Sequence, residues 1–321
     1  MTAAEHDAPR RVPYVAALPA YLAGGALIGT AEVIPGVSGG TIALVVGVYD
    51  RLIGGADLVL RGLAELVRPS RGPAEALRHL RLVPWPVIVP VIVGMAVAVV
   101  VGASVIEPLR EGYPVGARAL FLGFIAASVL VPLRMAGGIG NARQLAWVLP
   151  PAVAAFLLTG LPPGRVDDPA LPVVSMAAAV AICALVLPGV SGSFLLEAVG
   201  LYDATISAVN ERDGAYLLAF ALGAVVGLAS FVRVLGWLLT RHRRSTLLIM
   251  AGLMIGSLRA LWPWQTEDRG LLAPTGGTGD ILGVVALVVA GAVGVLTLVA
   301  VETVVTRTTE RGPVRPADSV G

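Results

Sequence analysis

The sequence predicts an all-α integral membrane protein of two inverted repeats, each a re-entrant helical hairpin followed by three transmembrane helices. Three observations predict it: a shortage of charge, a long motif that occurs twice, and an uneven spread of arginine along the chain. Of 321 residues, 56% are hydrophobic and 14% charged, and the mean hydropathy is +0.85. A soluble domain carries roughly 25% charged residues, so this chain cannot cover a water-facing surface. Apolar runs at Val87–Ile106, Ala119–Leu133, Val173–Leu187, Tyr216–Leu239 and Ile281–Val301 are near the ~20 residues that cross a hydrocarbon core of ~30 Å.

The repeat sets the domain organisation. Residues 35–53 read PGVSGGTIALVVGVYDRLI, and residues 188–206 read PGVSGSFLLEAVGLYDATI. Offset by 153 positions and without a gap, they share ten of nineteen residues, from Pro35/Pro188 to Ile53/Ile206. A weaker pair follows in the same order, FLGFIAASVL (121–130) and MAGLMIGSLR (250–259), sharing Gly123/Gly252 and Ser128/Ser257. The chain therefore divides into a first repeat at 1–161 and a second at 162–321.

Arginine counting orients the halves, because cytoplasmic loops carry the excess of basic residues. The first hairpin is expected at 13–53, with crossings near 84–106, 118–135 and 143–161. The second is expected at 171–209, with crossings near 214–239, 246–262 and 281–303. Three crossings per half invert the second half relative to the first. With both termini in the cytoplasm, 17 arginines fall inside and six outside, namely Arg110, Arg118, Arg165, Arg212, Arg259 and Arg269. A full crossing at the first motif would instead place the arginine-rich 51–81 stretch outside. Residues 56–81 read as an interfacial amphipathic stretch, broken at Pro69 and Gly72, with Leu58, Leu63, Leu66 and Val67 toward lipid. A plain solvated loop is the other reading of that stretch.

Several classes are excluded. The net charge of +2 and pI near 9.0 do not indicate nucleic acid, since the basic residues are spread along loops that flank the membrane. The single cysteine, Cys183, allows no internal disulfide. The N-terminal stretch has no pattern of a cleaved signal peptide. His6, His79 and His242 lie in the tail or in loops, no metal-ligand spacing is present, and no cofactor is implied.

The doubled motif carries the chemistry. Proline withholds a backbone donor and glycine permits unusual or closely approached backbone, so each PGVSG element breaks a helix at membrane depth. Such backbone is tolerated only inside protein or along a watery cavity. Ser38 and Ser191 are placed to cap a new half-helix, whose N–H groups and dipole suit an anion such as phosphate. Broken helices at matching places in two halves point to a transporter's central site. The candidate binding residues are Ser38, Gly39, Gly40, Thr41, Ser191, Gly192 and Ser193, with Arg118 and Arg259 to hold an anionic head group. Two helix kinks without a ligand are the alternative.

Carboxylates within apolar segments are costly and mark proton or ion pathways by default. Glu32, three residues before Pro35, and Glu197, six after Ser191, are such carboxylates. Each breaks the repeat, for Glu32 aligns with Leu185 and Glu197 with Leu44. Glu197 either joins a coupling pathway or pairs with an arginine. Asp50 is a third coupling candidate and, like Asp203, is equally suited to a helix-end role.

These stretches, AEVIPGVSGGTIALVVGVYDRLI, PGVSGSFLLEAVGLYD and AGLMIGSLRALWPW, resemble the bacterial polyprenyl-phosphate translocases over about residues 20–264. The resemblance implies flipping of undecaprenyl phosphate, or a related polyprenyl phosphate, across the cytoplasmic membrane to recycle the lipid carrier of envelope synthesis. It places Glu32, Ser38, Thr41, Ser191 and Ser193 around the phosphate; Glu197 departs from the family's pattern, where that position is apolar. Two other functions fit the architecture less well: a secondary transporter of a small soluble anion, and an intramembrane lipid phosphatase. The phosphatase lacks a nucleophile with a general base.

Overall fold

The computed structural model describes residues 14–32, 39–67, 72–166, 168–188 and 191–310. Among them the regular elements are helices: α1 (Tyr14–Glu32), α2 (Gly39–Val45), α3 (Tyr49–Val67), α4 (Gly72–Leu82), α5 (Trp85–Gly112), α6 (Pro114–Ser128), α7 (Leu130–Met135) and α8 (Ala142–Leu158). The second half continues with α9 (Leu171–Val186), α10 (Gly192–Ala198), α11 (Tyr202–Glu211), α12 (Gly214–Arg241), α13 (Arg243–Ser257), a 3-10 turn (Leu258–Leu261) and α14 (Thr278–Glu310).

Local chemistry sets several of these limits. Asn141 caps α8 by accepting the Gln144 N–H at 3.1 Å. The Asp213 carboxylate accepts the Ala215 and Tyr216 N–H groups at the start of α12. Pro114 and Pro172 stand in the first turns of α6 and α9, where a missing N–H costs nothing. Val83, preceding Pro84, is disfavoured in helix; there the chain bends by 70° between α4 and α5, and the Trp85 indole N–H ties the bend to the Leu80 carbonyl at 2.8 Å.

Four stretches are long and apolar enough to cross a membrane: Pro114–Met135, Gly214–Arg241, Arg243–Leu261 and Thr278–Thr297. The bent α4–α5 pair provides a fifth candidate. On α5, α12 and α14, Val97, Val100, Leu218, Leu222, Val225, Leu282 and Val289 point outward and are exposed. A girdle of exposed aliphatic side chains is stable against lipid and not against water. The chain is a multi-pass membrane protein. The α8 and α9 helices are shorter, at 17 and 16 residues.

The expected crossings lie close to α5, α6–α7, α8, α12, α13 and α14. The boundary after the first hairpin differs from expectation. Instead of ending at 53, the chain enters α3 at Tyr49 and continues without a break through Gly54 and Gly55 to Val67. At Gly55 α3 passes close to the Ile88 side chain of α5. The break expected at Pro69 falls outside the described residues.

Packing repeats along the chain. α1 lies against α5 as α9 lies against α12, while α6 lies against α14 as α13 lies against α8. At Gly94 an added Cβ would overlap the Leu22 carbonyl, and at Gly223 the Ser175 carbonyl; Leu22 and Ser175 stand in the register of the sequence repeat. The turns closing α2 and α10 are also alike. Gly47 and Gly200 adopt φ of 71° and 79°, a left-handed conformation that glycine adopts without penalty. The next N–H groups, of Val48 and Leu201, reach back to the Ala43 and Leu196 carbonyls at 3.0 and 2.8 Å. The core centres on α2, whose Ile42 and Leu44 pack in one cluster with Leu247, Leu248 and Met250 of α13.

Candidate functional site

The two hairpins begin their second helices differently. In the first, Glu32 at the end of α1 accepts the Gly39 N–H at 3.0 Å, so the hairpin's own carboxylate occupies the first amide of α2. A Cβ at Gly39 would overlap that carboxylate. Thr41 is fully buried and Gly40 half-buried, while Ser38 lies outside the described residues.

The second hairpin has Leu185 where the first has Glu32. Ser191, extended at φ −96° and ψ 132°, caps α10 by accepting the Phe194 N–H at 3.5 Å. Its hydroxyl also meets that of Ser193 at 2.9 Å. A Cβ at Gly192 would stand 2.6 Å from the Ala181 carbonyl oxygen, so this glycine is what allows α10 to fold back onto α9.

Beside α10 is a cavity of about 90 Å³, several times the ~15 Å³ that one water needs. Its walls are Ala155, Leu158 and Thr159 at the end of α8, Ser191, Phe194 and Leu195 of the hairpin, and Ser257 and Ala260 at the end of α13. Among the described residues the cavity is thus shared by both halves and touches the second hairpin but not the first. The Thr159 and Ser257 hydroxyls donate to the Ala155 and Met254 carbonyls at 2.8 and 2.9 Å. Among the described side chains at the wall, this leaves the serine pair and the adjoining arginines as donors that could face an anion.

Two arginines adjoin this wall. The Arg259 guanidinium lies 4.7 Å over the Phe156 ring and contacts the backbone so closely that a side chain at Gly160 would collide with it. Its Nη1 and Nη2 donate to the Phe156 and Arg269 carbonyls at 3.5 and 3.4 Å, and its buried Nε has no partner among the described residues. An unmet buried donor is costly, and a ligand acceptor removes that cost. Arg269, at φ 62°, stacks 3.9 Å over the Phe194 ring. It donates from Nη1 to the Leu161 carbonyl at 3.1 Å and from Nη2 to Glu197 Oε2 at 2.6 Å. Phe194 and Leu161 both line the cavity.

The structure therefore gathers Ser191, Ser193, Gly192, Glu197 and Arg259 in one region and leaves the other candidates elsewhere. Gly39, on the Glu32 carboxylate, and the following Gly40 and Thr41 lie at the first hairpin. Arg118 is half-buried in the early turns of α6 and does not line the cavity. Asp50 pairs with Arg243 across the two halves at 2.8 Å, and Asp203 stands 3.8 Å from Arg165. For Glu197, the arginine-pairing alternative is the one the structure contains. Sequence reasoning missed Phe194, Thr159 and Ser257 as wall residues and Arg269 beside the wall; only Ser257 carried a signal, through its match with Ser128. Among the described residues no group of three or more His, Cys, Asp or Glu is arranged to hold a metal.

Comparison with known proteins places this geometry in a lineage. The chain is 36% identical to the polyprenyl-phosphate transporter of Vibrio cholerae over 248 residues, covering 77% of this chain and 78% of the relative. It is 25% identical to the polyprenyl-phosphate transporter of Staphylococcus aureus over 269 residues, covering 74% and 84%. No solved structure matches. The undecaprenyl phosphate translocase-like family profile matches residues 28–278, which include both PGVSG motifs and the whole cavity wall, and the chain belongs to that family.

Proposed function

We propose that this protein carries a polyprenyl phosphate, such as undecaprenyl phosphate, across the bacterial cytoplasmic membrane and so returns a lipid carrier for reuse in envelope synthesis. The observation that carries the reading is the cavity beside α10, where hydroxyl groups and two arginines meet a wall that is otherwise Ala, Leu, Val and Phe. A small soluble anion calls for a polar enclosure, whereas a phosphate on an isoprenoid tail suits a polar patch within an apolar wall. The transporter names of the relatives support transport rather than catalysis.

In this reading the two halves are inverted repeats, with both termini cytoplasmic, that rock about the paired hairpins to expose the headgroup site to each side in turn. The recurrence of Gly47 and Gly200 geometry, and of the α1–α5 and α9–α12 contacts, supports it. Ser191 and Ser193 hydroxyls and the Arg259 guanidinium hold the phosphate, and Gly192 keeps the backbone close. Glu32, on the matching amide of the first hairpin, couples a proton to the movement: its charge repels the phosphate, and protonation removes the repulsion.

The test is leaflet transfer in sealed liposomes containing the purified protein and labelled undecaprenyl phosphate. Transfer faster than in protein-free liposomes, lost on Arg259→Gln, is expected. Transfer equal to that of empty liposomes overturns the reading.

A further inference from the structure

We propose that Glu197, through its ion pair with Arg269, makes the headgroup site select a monophosphate over a diphosphate. The inference rests on the reading that the site takes a polyprenyl phosphate, and it adds which phosphorylated form is admitted.

Charge around the cavity is the first argument. Its wall is flanked by two guanidinium groups, Arg259 and Arg269, which are linked through the Arg269 carbonyl at 3.4 Å. Glu197 neutralises one of them at 2.6 Å, leaving one net positive charge from the three groups. A phosphate monoester carries about −1.5 to −2 charges at neutral pH, which one arginine and the serine hydroxyls can meet. A diphosphate adds a second phosphoryl group with its charge. That group must sit against a carboxylate already committed to the second arginine.

Geometry is the second argument. The Arg269 side chain is 11% exposed and the Glu197 side chain 41%, so the cation is turned inward while its partner stands at the rim. Arg269 cannot swing freely toward a second phosphoryl group, because Nη1 is held by the Leu161 carbonyl and the plane by the Phe194 ring. Glu197 itself is fixed by position in α10, one turn beyond Phe194, where its carbonyl accepts the Gly164 N–H at 2.9 Å. Other charges nearby are weaker influences. Glu267 and Asp268 precede Arg269 but are exposed. Arg165 and Asp203 face each other with side chains 75% and 70% exposed, where water and salt screen them.

The experiment uses the full-length protein in lipid nanodiscs, with labelled undecaprenyl phosphate displaced by unlabelled undecaprenyl phosphate or undecaprenyl diphosphate. The wild type should favour the monophosphate. Glu197→Gln keeps the shape and an acceptor for Arg269 but removes the charge, and should shrink the ratio of the two affinities by roughly fivefold to tenfold. Glu197→Ala should shrink it in the same direction, whereas Glu197→Asp, which retains the charge, should leave a preference for the monophosphate. A ratio unchanged in both neutral variants overturns the inference while leaving the transport reading intact. Equal weakening of both ligands in those variants overturns it also, since it makes the ion pair a purely structural tie. Failure of the wild type to bind either lipid removes the transport reading and the inference together.

Discussion

A methyl group added at Gly192 would place Cβ 2.6 Å from the Ala181 carbonyl oxygen and 3.4 Å from Leu185 Cβ. Carbon–oxygen contacts ordinarily begin near ~3.3 Å, so α10 must retreat from α9 by roughly 0.7 Å. The obstructing atom is backbone inside a helix and cannot rotate away. Overpacking of this kind costs about 1–3 kcal/mol, and the retreat carries Ser191, Phe194 and Leu195 of the cavity wall with it. At Gly39 the clash is with the tip of Glu32, a side chain that can rotate, so the cost there is mainly one charge-assisted hydrogen bond, about 1.5–3 kcal/mol. Gly192→Ala should therefore lower both the melting temperature and undecaprenyl phosphate affinity, the latter about tenfold or more. Gly39→Ala should spare affinity, and its stability loss should shrink in a Glu32→Ala background, where no carboxylate obstructs. The assays are thermal unfolding in detergent and lipid displacement in nanodiscs. Wild-type melting and affinity in Gly192→Ala would refute the packing argument. A Gly39→Ala effect that is the same with and without Glu32 would refute the assigned obstruction.

Three further outcomes follow from the geometry. Glu32→Gln should still bind undecaprenyl phosphate but lose the response of leaflet transfer to a pH gradient. In the wild type leaflet transfer should slow as pH rises, because the coupling proposed for Glu32 requires its protonated form; unchanged pH dependence makes Glu32 structural. Single cysteines at positions 165, 266 and 268 should react with an impermeant reagent from outside the cell, and those at 75, 78 and 243 should not. Outside labelling at 75 or 78 would contradict the hairpin topology. Asp50→Asn breaks an ion pair to Arg243 whose side chains are 46% and 45% exposed, so it should cost under ~1 kcal/mol and leave the pH response in place. Loss of that response would move the coupling group to Asp50.

Much of the fold was legible because its determinants are local in sequence. Apolar length marked α5, α12 and α14, and Gly47 and Gly200, matched positions of the repeat, end α2 and α10 alike. Proline marked the α4–α5 bend at Pro84 only in retrospect, since the sequence reading named breaks at Pro69 and Gly72 alone, and Pro69 lies outside the described residues. The site was less legible, for its wall joins residues from the ends of α8, α10 and α13 that no periodicity links. Arg269 was counted only as a loop charge, and its meeting with Glu197 depends on how the 262–277 loop folds back over α10.

The two halves share a motif, and a shared motif suggested a shared site; the structure separates the two hairpins at the positions where the repeat is broken. Glu32 replaces the leucine of its counterpart and takes the Gly39 amide, so the first hairpin's half-helix begins already satisfied by a carboxylate. Leu185 leaves the second hairpin with serine hydroxyls instead, beside a cavity and an arginine with an unmet donor. Glu197 replaces Leu44 and meets Arg269. The ten shared residues thus build two similar hairpins, while the two unmatched carboxylates give each a different electrostatic task. On the transport proposal that difference matters: a carboxylate holds the first amide of one hairpin's second helix, whereas an arginine-paired carboxylate borders the headgroup site proposed at the other.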